Sequence, residues 1–345
     1  MIAIAWRNLW RQSRRTLITA SAMAVGIALC MSMIALSDGL YAQMFDVMVT
    51  RKLGHVQVHH PDFPGRRLLY DTLPQDRFEA ISSTDGVTTA AARLFGYGLV
   101  SSEETSAGGQ VIGILPQQEQ AISKLEEKLE SGQFLSGEPS LQSVIGTGLA
   151  DTLKLEVGGE LVIVTQASDG SMSNELSEVI GIVRTGDEGI DRGGIYMHLT
   201  DAQDLFALPD QVHEIIVLGD DPTESDTLAG AIRTIEPDNL VRTWVEADPS
   251  TAQMMGMQNV GSGILLAVVF SVAALGVLNT MLMSVFERTR ELGLMAALGL
   301  NPAQVMRLIL TESILLAAIA VALGGVLGGV LDGLLVVYGI DMSGG

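Results

Sequence analysis

Apolar positions along this chain gather into three unbroken runs, while the long stretch between the first and second carries them only in short bursts. The first run, "TLITASAMAVGIALCMSMIAL", has no charged residue; the second, "GILLAVVFSVAALGVLNTMLMSVF", has Asn279 as its one strongly polar residue; the third, "SILLAAIAVALGGVLGGVL", is flanked by Glu312 and Asp332. A helix rising ~1.5 Å per residue needs about 20 mostly apolar residues to cross a bilayer. The pattern therefore predicts transmembrane helices over 16–36, 262–286 and 301–338.

The middle, 37–261, reads differently. In "SDGLYAQMFDVMVTRKL" the positions Leu40, Met44, Val47, Met48 and Val49 approximate one helical face, which predicts that the first span continues outward as a stalk. "GHVQVHHPD" alternates and ends in a turn signal, as a strand does; strand-like runs and short helical pieces then follow through "NLVRTWVEADP". The fold class expected is membrane α-helical spans plus a large α+β extracytoplasmic domain. Its first and last portions, 37–118 and 209–261, form a base into which 119–208 is inserted as a second lobe.

Charge orients the spans. The N-terminal segment 1–15 holds "WRNLWRQSRR", with Arg7, Arg11, Arg14 and Arg15 and no acidic residue, and Arg288, Arg290 and Arg307 lie between the second and third runs. Basic flanks stay in the cytoplasm, so the N-terminus and the 287–300 connection are expected there, and the middle domain outside. Trp6 and Trp10 suit an interfacial belt. The middle holds 13 of the 20 basic and 35 of the 40 acidic residues, a formal charge of −22. That excess argues against nucleic acid or anionic headgroups as partners of the domain, since both reward Lys and Arg. A cleaved signal peptide is the competing reading of the N-terminus, because Ala35-Leu36-Ser37 has a small-x-small look; the run is longer than a signal core of about 7–15 residues. The single cysteine, Cys30, lies inside the first span and reads as a small apolar helix residue.

Catalytic motifs are missing from the sequence. No GxxxxGK[ST] loop, HExxH or CxxC occurs, and the only lysines are Lys52, Lys124, Lys128 and Lys154, so this chain has no P-loop for ATP. His55, His59 and His60 cluster, and on a strand His55 and His59 share a face. No carboxylate or Cys pattern beside them completes a ligand set, so the plainer reading is a solvated strand face, and no metal is expected.

Two features bear on function. In "GGVLGGVLDG" the pairs Gly324 and Gly328, and Gly325 and Gly329, are four apart, a spacing that lets helix backbones approach; all four are expected to pack against another span. Between the second and third runs lies "FERTRELGLMAALGLNPAQ". Gly299 reads as a helix stop, Asn301 as the next N-cap and Pro302 as its first turn. Glu287 and Arg290 are spaced to pair, and Leu292, Leu294, Met295 and Leu298 leave an apolar surface fit for a bilayer or a protein groove.

The stretch "NTMLMSVFERTRELGLMAALGLNPAQVMRLILTES" resembles the signature of the FtsX/MacB/LolC-type ABC permeases, through Asn279, Glu287, Arg288, Arg290, Glu291, Gly293, Ala297, Leu298, Gly299 and Glu312. "AWRNLWRQSRRT" is similar to the family's start, and "VIGTGLADTLKLEVGGEL" and "VRTWVE" to its Porter and Sabre lobes. The resemblance implies that 287–300 is a coupling helix docking on a cytoplasmic ABC ATPase dimer, with Glu287, Arg288, Arg290, Glu291, Leu292, Gly293, Leu298 and Gly299 as coupling residues. ATP and Mg then belong to the partner ATPase and no cofactor to this chain, which is not itself an enzyme. A second permease chain, identical or homologous, completes the unit in the inner membrane. The family has a fourth span where this sequence ends in "DMSGG", at 339–345, the expected start of an outer loop; either the sequence is incomplete or a partner supplies that span, and incompleteness is the expectation.

"LGHVQVHHPDF", "AARLFGYGLVSS" and "VIGILP" look most like the lipoprotein-releasing LolC/LolE branch, which implies extraction of lipoproteins from the outer leaflet and transfer to a periplasmic carrier. Met44, Met48, Met254, Met255 and Met257, near the outer membrane boundary and its lipids, are the expected substrate contacts, since soft side chains suit variable acyl chains. The loop "ASDGSMSNEL" is short for the branch's carrier-binding hook and favours a LolE-like role or a different transport substrate. Two alternatives stay open: MacB-like efflux through an adaptor, and FtsX-like regulation of a cell-wall hydrolase without transport.

Overall fold

The computed structural model describes residues 2–11, 13–66, 68–297, 299 and 301–338. Leu298 and the 339–345 segment, both named above, lie outside the described residues. Two compact units emerge: a helical one, Met1–Gln43 with Met254–Gly345, and a mixed one, Met44–Gln253.

In the helical unit, an amphipathic helix Ile2–Arg11 turns Ala5 and Leu9 inward and exposes Trp6 and Trp10, whose rings meet edge to face at 5.9 Å. The first span helix, Ser13–Phe45, runs beyond the apolar stretch, and a π-helical turn, Asp46–Leu53, continues it. The second span helix is Pro249–Glu287 and the third Pro302–Tyr338, with Thr289–Ala297 between them. Three helices among the described residues are long and apolar enough to cross a membrane, over Thr16–Phe45, Gly263–Glu287 and Pro302–Leu335.

The glycines of the third span divide by face. A Cβ on Gly324 would lie 2.8 Å from Ile27 Cβ and 2.9 Å from the Ala24 carbonyl, and one on Gly328 would lie 3.2 Å from Met31 Cβ. Opposite them, Ala20, Ala24 and Ala28 are buried, so a seam of small residues on both helices brings the backbones together. Gly325 and Gly329, one position on and about 100° around the helix, have nothing within 4 Å. Among the described residues, the contact expected of all four is made by Gly324 and Gly328 alone.

The mixed unit is built on strands β1 (Val56–His59), β2 (Leu73–Pro74), β3 (Val87–Ser101), β4 (Ser106–Ile114), β5 (Leu129–Gly132), β6 (Gln142–Gly146), β7 (Glu160–Gln166), β8 (Met172–Val183), β9 (Gly194–His198), β10 (Gln211–Val212), β11 (Glu214–Gly219) and β12 (Leu240–Thr243). Their order is β12-β1-β11-β3-β4-β9-β6-β8-β5, and β7 bridges β3 and β8. The circuit β3-β4-β9-β6-β8-β7 therefore closes on itself. Strand β3 serves both halves: Val87–Arg93 pairs with β11, and Leu99–Ser101 with β7. Strands from 119–208 thus share β3 and β4 with those flanking them, and Leu94, Val111, Ile145, Ile163, Ile195 and Ile215 belong to one core.

All four positions of β1 are buried: its edges pair with β11 and β12, Phe63 stacks on His59, and Val56 and Val58 join the core with Ala229 and Ile232. The solvated face expected of His55 and His59 is therefore not found. His55 Nδ1 accepts from the Gly219 amide at 3.0 Å, and His59 lies against Gln57, Glu214 and the ring of Phe63.

Candidate functional site

The elbow after the second span is built by local chemistry. The helix Thr289–Ala297 follows Glu287 after one residue, and Gly299 takes φ +99, a left-handed value that costs any other residue a Cβ clash. Asn301 Oδ1 accepts from the Ala303 amide at 3.2 Å while Gln304 Oε1 accepts from the Asn301 amide at 3.0 Å. This reciprocal cap starts the third span helix at Pro302, as the Asn-Pro pair predicts.

Glu312 holds the elbow together. It lies on the third turn of that helix, 6% exposed, and one oxygen accepts from Asn8 Nδ2 at 2.6 Å. Arg288 Nη1 lies 3.1 Å from Oε2 and 3.3 Å from Oε1. One carboxylate thereby ties the N-terminal helix, the elbow and the third span. Around it Leu9, Ala20 and Leu316 are buried, with Met281, Leu315 and Ile319 packed against them. Glu312 is the more deeply placed partner, so losing Arg288 would leave a buried carboxylate without its cation, whereas the partly exposed Arg288 could turn to water if Glu312 were lost.

The residues expected to couple divide about this anchor. Arg288 turns inward to Glu312, whereas Glu287, Arg290, Gly293 and Gly299 are exposed. Leu294, four residues beyond Arg290, is 66% exposed, and nothing lies within 4 Å of a Cβ on Gly293. Glu291 and Leu292 belong to the same helix. The helix, with Glu287 just before it, thus offers a surface of acidic, basic and apolar side chains fit for a protein groove. Asn8 was missed by sequence reasoning. Its signal is a polar side chain beside Ala5 and Leu9, on the face of the N-terminal helix that turns inward.

Of the methionines, Met44 is half-buried and Met48 lies in the π-helical turn. Met254 and Met257 are exposed, but Met255 is 2% exposed and presents no surface to a substrate. Adjacent helix positions sit about 100° apart, so a run of methionines cannot all face outward.

A second buried arginine organises the mixed unit. Arg93, on β3, donates from Nε to Glu119 Oε2 at 2.8 Å and from Nη2 to Oε1 at 2.6 Å, with Glu214 at 3.7 Å from Nη1. Its Nη1 also donates to the Lys52 carbonyl at 3.3 Å, holding the π-helical turn, which Lys52 further ties to Asp187. Burial alone would lower the Arg93 pKa, but the Glu119 charge and hydrogen bonds, then Glu214, raise it above its ordinary value. Nearby, buried His213 accepts from the Phe95 amide at Nδ1 and meets the Leu69 carbonyl through Nε2, the pattern of a neutral ring. Desolvation pulls its pKa down to about 4, outweighing the Leu69 bond. At the start of the second span helix, Asp248 accepts from Ser250, Thr251 and their amides, and these bonds lower its carboxyl to about 2.

Residues 16–235 match the MacB-like periplasmic core domain, and residues 263–343 match the FtsX-like permease C-terminal region. The chain belongs to the MacB/FtsX/LolC family of ABC-transporter permeases. The permease is similar to the lipoprotein-releasing system transmembrane protein LolC of Neisseria meningitidis, at 24% identity over 86% of this chain and 72% of that protein. It is also similar to the macrolide export ATP-binding/permease protein MacB of Marinobacter nauticus, at 25% identity over 93% of this chain and 51% of that one. Among solved structures, the periplasmic region of MacB from Actinobacillus actinomycetemcomitans aligns with 58% of the permease and 91% of its own chain, at 14% identity and a TM-score of 0.42. The family's permeases work with ATPase subunits and carry a periplasmic domain on an inner-membrane anchor.

Proposed function

We propose that this chain is the permease subunit of an ATP-driven complex that converts ATPase closure into motion of the periplasmic domain, extracting lipoproteins from the outer leaflet and passing them to a periplasmic carrier. The observation that carries the coupling half is the Glu312 junction. It fixes Arg288 inward, so that Glu287, Arg290 and Leu294 remain on the outer surface of the connecting helix. In this reading the N-terminus and the connection lie in the cytoplasm, an ABC ATPase dimer seats on that surface, and ATP and Mg stay on the ATPase. The first and second span helices, continuous to Phe45 and from Pro249, carry the displacement outward as stiff rods. A second permease chain, identical or homologous, faces this one.

Similarity to LolC across most of both chains supports lipoprotein release, with Met44, Met254 and Met257 offered to the acyl chains. The comparable match to MacB supports efflux as the second reading. Purification of the full chain from its native membrane in mild detergent, with mass spectrometry of what is retained, separates them. An ATPase with acylated lipoproteins supports release; an ATPase with an adaptor and outer-membrane channel supports efflux; no ATPase overturns the coupling reading.

A further inference from the structure

The crossover from β1 to β2 brings together side chains that neither the coupling site nor the domain core uses. His60 follows β1 directly, Pro61 turns the chain, and the Asp62 amide donates to His60 Nδ1 at 3.3 Å. That bond turns the His60 ring toward the Asp62 backbone. The short helix Phe63–Arg66 then leads round to Asp71, two residues before β2. One ligand atom from each of His60, Asp62 and Asp71 lies within 4.8 Å of the others.

Asp71 makes this more than a surface cluster. It is 5% exposed, and its Oδ2 is buried with no hydrogen-bond partner among the described residues. Buried carboxylate oxygens are almost always satisfied, so one that is not is open to a partner such as a cation or a water molecule. His213 is engaged elsewhere, its Nδ1 accepting from the Phe95 amide and its Nε2 meeting the Leu69 carbonyl.

We propose that His60, Asp62 and Asp71 form a binding site for a divalent transition-metal ion of the Zn2+ class. One imidazole nitrogen with two carboxylate oxygens is a borderline donor set; Mg2+ and Ca2+ favour oxygen alone, and Cu(I) favours sulfur. The two carboxylates balance the ion's charge. Bonds of about 2.0–2.2 Å place ligand atoms no more than roughly 4.4 Å apart, a span these side chains reach by small rotations. The 3.3 Å bond at His60 is long, and an exposed amide that loses it turns to water. Asp62 is exposed, so water completes the coordination from the open side. The bound ion pins the β1–β2 crossover at both ends. The fastening extends to β10, whose Gln211 and Val212 pair with Pro74 and Leu73 of β2.

The test is titration of the full chain in detergent with Zn2+, followed by calorimetry and thermal melting, with Mg2+ as the control for attraction to a chain of charge −20. The expected result is one Zn2+ per chain and a saturable rise in Tm that Mg2+ does not reproduce. Asp62→Asn, at an exposed position that folding does not need, is expected to weaken Zn2+ binding by about tenfold or more, and His60→Gln to do the same. Co2+ bound to the unaltered chain is expected to show visible bands of a nitrogen and oxygen site, a readout that needs no variant. Melting unchanged by Zn2+, or both variants binding as the parent does, overturns the proposal.

Discussion

Two arginine–carboxylate clusters stand out among the described residues, each with a buried carboxylate, and they differ in what surrounds them. Arg93 sits within a sheet, its guanidinium engaged by Glu119, Glu214 and a carbonyl of the π-helical turn, and it faces strands that cannot shift without breaking their ladders. Arg288 sits at an elbow between two helices, and its partner Glu312 also holds a third helix through Asn8. The first is a fastening inside a rigid body. The second joins elements that must move together, with an exposed helix face directly beside it. The same chemistry thus fixes a fold in one place and orients an exposed helix face in the other.

Removing Arg93 gives the largest expected effect. Arg93→Ala strands Glu119 and Glu214 without their cation, and a loss of about 3–5 kcal/mol is expected in chemical unfolding of the mixed unit. Glu312→Ala is milder, because the freed Arg288 can swing to water. A loss of about 1.5–3 kcal/mol is expected, and a double-mutant cycle with Asn8→Ala should reveal non-additivity, which additive losses would contradict.

Acidification probes the mixed unit alone. The folded pKa of His213, about 4, lies below the ordinary value of 6.5, so between these values the unfolded chain binds the extra proton. This contribution is complete above pH 6.5 and is lost as pH falls toward 4, about 2 kcal/mol of it between pH 7 and 5. His213→Gln, which does not titrate, should flatten that dependence in melts recorded across the range. The glycine faces give the smallest contrast. Gly324→Leu overpacks the seam with Ile27 and Ala24 and is expected to cost about 1–3 kcal/mol, whereas Gly325→Leu leaves the isolated chain nearly unchanged.

These contrasts also mark what was legible in the sequence. The spans follow from hydropathy, and the elbow from Gly299, Asn301 and Pro302, because both signals act over a few residues. The Asn8 to Glu312 bond joins positions 304 apart, and no periodicity reports that. The alternation in "HVQVHH" predicts one wet face, but both faces of β1 are packed, so His55 and His59 are buried. Glycines 324, 325, 328 and 329 look equivalent as letters, and only the helix turn separates those facing the first span from those on the open face. Asp71 carried no sequence signal, since its nearness to His60 depends on how the crossover returns to β2.

The central claim is that the exposed face of Thr289–Ala297 with Glu287 receives the ATPase, while the inward Arg288 holds it in place. The direct measurement is substrate-stimulated ATP hydrolysis by the assembled complex, comparing the parent chain with Glu287→Lys combined with Arg290→Glu. Both residues are exposed, so membrane insertion and melting should be unchanged while stimulation is lost. Stimulation equal to the parent's, in a variant that inserts and melts normally, would contradict the account.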